Sequence, residues 1–143
     1  MARIWTSWRS EGALLLAAAV ASGCVGSTQE SGPTVAGAVS GQVRRQDGTG
    51  VGGAVLGFTL TTQPVAGTAT LLSSASLTAS DQGNYTLVFL IGGQPQTAVL
   101  SVAVTPPIGS GLRGKDTTGL ALRLSTAYPP SDTTYLFFDL APR

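Results

Sequence analysis

The sequence predicts an all-β protein: a single antiparallel β-sandwich of seven to eight strands over residues 35–143. Three observations carry that expectation. From Val35 onward the apolar residues recur with a period of two, and no stretch there has a helical period. Clusters of Gly, Asp, Asn and Pro interrupt the alternation at near-regular intervals, which is the spacing of a sandwich. Gly, Ser, Thr and Ala dominate the same residues and suit short strands with tight turns.

Taken in order, Val39, Gly41 and Val43 alternate with Ser40, Gln42 and Arg44, and Gln46-Asp47-Gly48-Thr49-Gly50 reads as a turn. Ala54, Leu56, Phe58 and Leu60 share one face of the next strand. Thr68–Leu72 and Ala75–Ser80 are weaker strands, expected at edges. Asp81-Gln82-Gly83-Asn84 is a hairpin turn in which the glycine can take positive φ. Tyr85–Ile91 is apolar on both faces, the pattern of a central strand. Ala98, Leu100, Val102 and Val104 line one side of Thr97–Thr105, which Pro106-Pro107 ends because proline cannot donate to a ladder. A long loop is expected over Ile108–Thr118. Leu120, Leu122 and Leu124 then share a face, and in the last strand Leu136, Phe138 and Leu140 oppose Tyr135, Phe137 and Asp139.

The first residues follow a different logic. Arg3 and Arg9 precede a nine-residue apolar run, Ala13–Ala21, which is too short to cross a bilayer. Ser22-Gly23-Cys24 follows, and Cys24 is the single cysteine of the chain. This stretch resembles the signal peptide and lipobox of a bacterial lipoprotein, with Ala21 where that family most often has leucine. The resemblance implies removal of residues 1–23, a helical signal, and lipidation of Cys24. The alternatives are an ordinary cleaved signal and an uncleaved anchor. Two or more acyl chains on Cys24 would hold the protein stably in a membrane, at about 0.8 kcal/mol per buried methylene. Val25 is not the aspartate that retains such lipoproteins at the inner membrane, so the outer membrane is the expected address. Residues 24–34 form a flexible tether, of which Val25–Pro33 spans roughly 15–18 Å. The sandwich then occupies 35–143 as one domain.

Charge and composition exclude several classes. Of eight basic and seven acidic residues, Arg3, Arg9 and Glu11 lie in the leader, leaving six of each. No basic surface is available to neutralise phosphates, which disfavours a nucleic-acid partner. With Cys24 lipidated there is no thiol for a disulfide, so the fold must stand on its apolar core. Histidine is absent, which removes a Ser-His-Asp triad and most zinc sites.

A second resemblance rests on Val39-Ser40-Gly41-Gln42-Val43, Asp47-Gly48, Val51-Gly52-Gly53-Ala54-Val55 and Asp81-Gln82-Gly83-Asn84-Tyr85-Thr86-Leu87, in that order. Residues 36–104 thereby resemble the carboxypeptidase regulatory-like domain, a transthyretin-type sandwich of exported bacterial proteins. Gly50-Val51 stands where that pattern has Pro-Val. The same stretch, Thr68–Val104 above all, is also similar to invasin-type immunoglobulin-like repeats. Neither family domain is catalytic by itself, and the wider fold class includes carbohydrate-binding modules.

The chemistry-bearing residues have plain readings. Lys115, the only lysine, sits in the glycine-rich loop and is a poor candidate for a serine–lysine dyad. Asp116-Thr117-Thr118-Gly119 resembles half of an aspartyl-protease signature, but reads as a loop with a turn. Asp47, Asp81, Asp116 and Asp132 fall in expected loops without D-x-D spacing, so they read as turn formers rather than calcium ligands. Arg44-Arg45 reads as a solvated strand end that discourages edge pairing. Tyr135 and Phe137, joined by Tyr128, are candidate partner-binding residues. The plainer expectation is that the 108–118 loop covers Tyr135 and Phe137 as a satellite cluster.

The sequence therefore predicts a non-catalytic, lipid-anchored module of the cell envelope that needs neither cofactor nor metal. Its partners would be the membrane, through the lipid on Cys24, and an envelope protein or a polysaccharide. A carbohydrate-binding module is the alternative.

Overall fold

The computed structural model describes residues 32–130 and 132–143. The expected signal segment, Cys24 and nearly all of the tether lie outside them. Among the described residues seven strands follow one another: β1 Thr34–Arg45, β2 Val55–Thr61, β3 Leu71–Thr78, β4 Asn84–Gly92, β5 Gln96–Thr105, β6 Lys115–Leu124 and β7 Thr133–Leu140. They form two sheets, ordered β4-β1-β7 and β3-β2-β5-β6. The protein is an all-β sandwich.

The inward residues are those that the period of two selects. Val35, Val39 and Val43 from β1 meet Leu56, Phe58 and Leu60 from β2, Ala98, Leu100, Val102 and Val104 from β5, and Leu122 and Leu124 from β6. Phe138 and Leu140 complete this core, and Phe58, Tyr85, Phe89 and Phe138 form a chain of ring contacts with centroids 5.9–6.4 Å apart. Such tilted and stacked pairs add about 0.5–1.5 kcal/mol each beyond the area they bury.

Glycine shapes the centre of the smaller sheet. A Cβ on Gly41 would overlap the carbonyl oxygen of Leu136 and stand 2.9 Å from the Tyr85 hydroxyl. That vacancy lets Tyr85, on β4, reach over β1 and donate to Leu136 O on β7 at 2.8 Å. Burial pushes the Tyr85 phenol far up, so it stays protonated as this bond requires. Asp81–Asn84 is a turn but not the expected hairpin, because it carries the chain from β3 in one sheet to β4 in the other; there Gly83 has φ +77°, and Val43 N donates to its carbonyl at 2.8 Å.

Four further expectations are corrected. The two strands expected at Thr68–Leu72 and Ala75–Ser80 are replaced by one, β3 Leu71–Thr78, which runs on through Ser73 and Ser74 with residue 72 bulging out of the β2 register. The sandwich is not wholly antiparallel, since β7 runs parallel to β1 along its whole length. Tyr85–Ile91 is not central: β4 pairs with β1 alone and forms an edge, with its outer face turned to solvent. The 108–118 loop is shorter than expected, as β6 starts at Lys115 and Asp116–Gly119 lies within it. There Thr118 and Gly119 oppose Ser101 as a bulge, with Gly119 at φ +74°. The rest of that loop turns inward at Leu112, which is buried at the end of the core and bridges to Pro142.

Candidate functional site

The outer face of the β4-β1-β7 sheet is built from cross-strand rows. Leu90 lies beside Ala36, then Val88 beside Ala38 and Thr133, then Thr86 beside Ser40 and Tyr135. Asn84 beside Gln42 and Phe137 follows, and Arg44 beside Asp139 ends the face. Ala36 and Ala38 are buried between their larger neighbours. Tyr135 is 68% exposed, Leu90 57%, Phe137 53% and Val88 40%.

The loop does not cover these rings. Of its large apolar side chains Leu112 packs into the core end and Ile108 stands fully exposed, and neither covers the rings. Tyr135 and Phe137 are thus brought together on one open face. Tyr128 is exposed on the β6–β7 connection, and no ring contact joins it to either.

Polar residues hold this face in place. Ser40 Oγ lies 2.9 Å from Thr86 Oγ1 and bonds the Tyr85 carbonyl, tying β1 to β4. Gln42 Nε2 donates to Gln82 O at 2.9 Å. At the lower end Arg44 Nε donates to Asp139 Oδ1, and Nη2 to Oδ2 at 3.3 Å. The same guanidinium lies 4.9 Å from the centre of the Phe137 ring. Arg44 is therefore no edge guard. β1 is flanked by two strands, and Arg44 spends its charge on β7. The hydrogen bond from Arg44, with that residue's charge and Lys115 adding to it, holds the Asp139 carboxyl below its usual range.

Among the described residues no three side chains of metal-ligating type gather in one place. Asp47 is a turn former: its Oδ1 accepts Thr49 N at 2.9 Å, which lowers its pKa. Asp132 faces Arg123 at 3.7 Å across the surface. Val88 and Leu90 are the residues that sequence reasoning missed on the aromatic face. Their strand had no charge or turn residue to mark which of its faces is open.

No known family's profile matches the chain, and no curated protein does. Among solved structures it is similar to the 3-chlorocatechol 1,2-dioxygenase of Rhodococcus opacus 1CP, with 16% identity and a TM-score of 0.49. The match covers 81% of this chain and 62% of that one, so this chain spans less than two thirds of the length of that enzyme. Nothing about activity follows at this level of likeness.

Proposed function

We propose that the protein is a non-catalytic, lipid-anchored cell-envelope module whose sandwich binds a partner through the outer face of β7. The observation that carries the binding half is the open row of Tyr135 and Phe137, continued by Val88 and Leu90. Two rings on one rigid strand offer large contact area at little side-chain entropy. The anchoring half rests on the apolar run Ala13–Ala21 and the single cysteine that follows it. The motifs of residues 36–104 that resemble carboxypeptidase regulatory-like domains, which are not catalytic alone, support the non-catalytic part of the reading.

A carbohydrate-binding module is the second reading. Tyr135 favours it, because its ring is open for a sugar to stack on. Phe137 suits it less, since Arg44 already lies against that ring.

The deciding experiment uses detergent-phase partitioning of the full chain. Cys24→Ser should move the protein to the aqueous phase and block the shift to processed size; unchanged partitioning rejects the anchor. A polysaccharide array separates the two binding readings, because a sugar ligand lost in Tyr135→Ser establishes the second.

A further inference from the structure

A sheet edge is a row of unsatisfied main-chain groups, and proteins guard it with charge, proline or a bulge. Among the described residues three of the four edges here carry such a guard. β3 bulges at residue 72. β6 bulges at Thr118–Gly119 and bears Lys115, Asp116 and Arg123. β7 bears Asp139 and follows Pro129-Pro130. β4 has none of these: Asn84–Gly92 is uncharged, contains no proline and holds an unbroken register against β1.

The direction of its free groups follows from the ladder. Val43 N donates to Gly83 O at one end and Gly93 N to Pro33 O at the other, at 2.8 and 2.9 Å. Alternation between those ends turns the main chain of Tyr85, Leu87, Phe89 and Ile91 toward β1. Thr86, Val88 and Leu90 turn theirs outward, where no described group bonds them.

We propose that β4 is a pairing edge for a second copy of this chain, joined antiparallel about a two-fold axis at Val88. Of the outward residues of β4, Asn84 is taken by Ser80 and Gly92 ends the strand, and Thr86, Val88 and Leu90 between them are symmetric about Val88. Val88 faces its own copy, Thr86 faces Leu90 on either side, and each pair exchanges two main-chain bonds. Charge does not oppose this occupant. No charged residue lies between Asp81 and Arg113, so two copies meet here without repulsion. Pairing also covers Leu87 and Ile91, which are only half-buried on the inner side of β4. The result is a continuous six-stranded sheet with the aromatic face present twice. This proposal goes beyond the binding reading and does not depend on it.

The test is the mass of the full chain in a mild non-ionic detergent, by light scattering with detergent mass subtracted. The wild type should reach twice its 14.4 kDa less whatever processing removes. Val88→Lys places two ammonium groups opposite each other and should raise Kd about tenfold or more. Val55→Lys is the control: Val55 is 43% exposed against 40% for Val88, but lies on β2 inside its sheet, and the dimer should survive. Mixing Val88→Lys with Val88→Asp should restore a dimer, which only folded variants in the stated register can form. A monomeric wild type, equal loss from Val55→Lys, or no recovery on mixing each overturns the proposal. Partner binding by Tyr135 is read separately, so failure of one idea leaves the other standing.

Discussion

The two sheets bury the same kind of side chain and differ in what stands at the middle of their outer faces. Outside the β4-β1-β7 sheet stand Val88, Leu90, Tyr135 and Phe137, apolar groups on a short, three-stranded platform. Outside the β3-β2-β5-β6 sheet stand Ser74, Ser76 and Thr78, then Thr59, then Ser101 and Thr105, with Gly57 and Ala103 between them and the exposed apolar Val55 and Leu71 only at opposite ends. Gly57 has no side chain to raise, so a shallow groove of about 450 Å³ runs past it between Ser74, Ser76 and Ala103. Hydroxyls on such a face satisfy themselves with water and offer little apolar area to a partner. Rings and branched aliphatics lose by staying wet, at about 25 cal/mol per Å². The contrast is why the proposed binding face is the smaller sheet's, although the larger sheet supplies more of the core.

Glycine gives the sharpest way to break this comparison, because each sheet has one at its middle. Gly41 sits inward on β1 with the Leu136 carbonyl and Tyr85 hydroxyl against it, while Gly57 faces outward on β2 with only the Ala103 carbonyl at 4.0 Å. Gly41→Ala should cost about 3 kcal/mol or more, since backbone rather than a movable side chain blocks the new methyl. Gly57→Ala should be neutral or stabilise by about 0.5 kcal/mol, through reduced freedom of the unfolded chain. Denaturant midpoints of the two variants measure the difference. Equal damage from both would mean that β2 does not present Gly57 outward.

A smaller effect is expected from the aromatic row. Tyr135→Ser with Phe137→Ser should destabilise the sandwich by about 1 kcal/mol or less, chiefly the lost cation–π contact with Arg44. Phe58→Ala removes one ring from the core and should cost about 3–5 kcal/mol. Thermal melts of both variants check the ranking. If the double variant melts as early as Phe58→Ala, the rings belong to the core and the proposed face is lost.

These contrasts also mark what the sequence made legible. Alternation along one strand is a local property, so Leu122 in and Arg123 out, or Phe138 in and Phe137 out, could be read residue by residue. Which strands lie side by side is not local. The parallel β1–β7 pair joins Arg44 to Asp139 across most of the chain, and no spacing announces it. For the same reason Tyr85–Ile91 looked central. Apolar residues on both faces mean either two buried faces or one open face, and only the neighbours decide. The 108–118 loop misled in a related way, because Leu112 serves the core end rather than the rings. Tyr135 and Phe137 were found as a pair, but Val88 and Leu90 could join them only once β4 was placed beside β1.

The finest test of the smaller face is electrostatic. Arg44 holds Asp139 ionised below the pH at which a free aspartate takes its proton, with the guanidinium also resting on Phe137. A carboxyl whose pKa is lower folded than unfolded contributes stability above its unfolded pKa, near 3.9, and loses it as pH falls through the folded value. The sandwich should therefore lose a little stability below about pH 4 that Asp139→Asn does not lose. Asp47, lowered by its bond from Thr49 N, gives a similar acid loss in the turn just after β1, at the same end of the sheet, so only the difference between wild type and Asp139→Asn isolates the pair. Both groups are solvent-exposed, and the effect should shrink further in high salt. If the two proteins lose stability in parallel down to pH 2, Arg44 does not fix Asp139. The Phe137 ring would then sit on an unanchored guanidinium, and the face would be rigid in its strands but not in its lower rim.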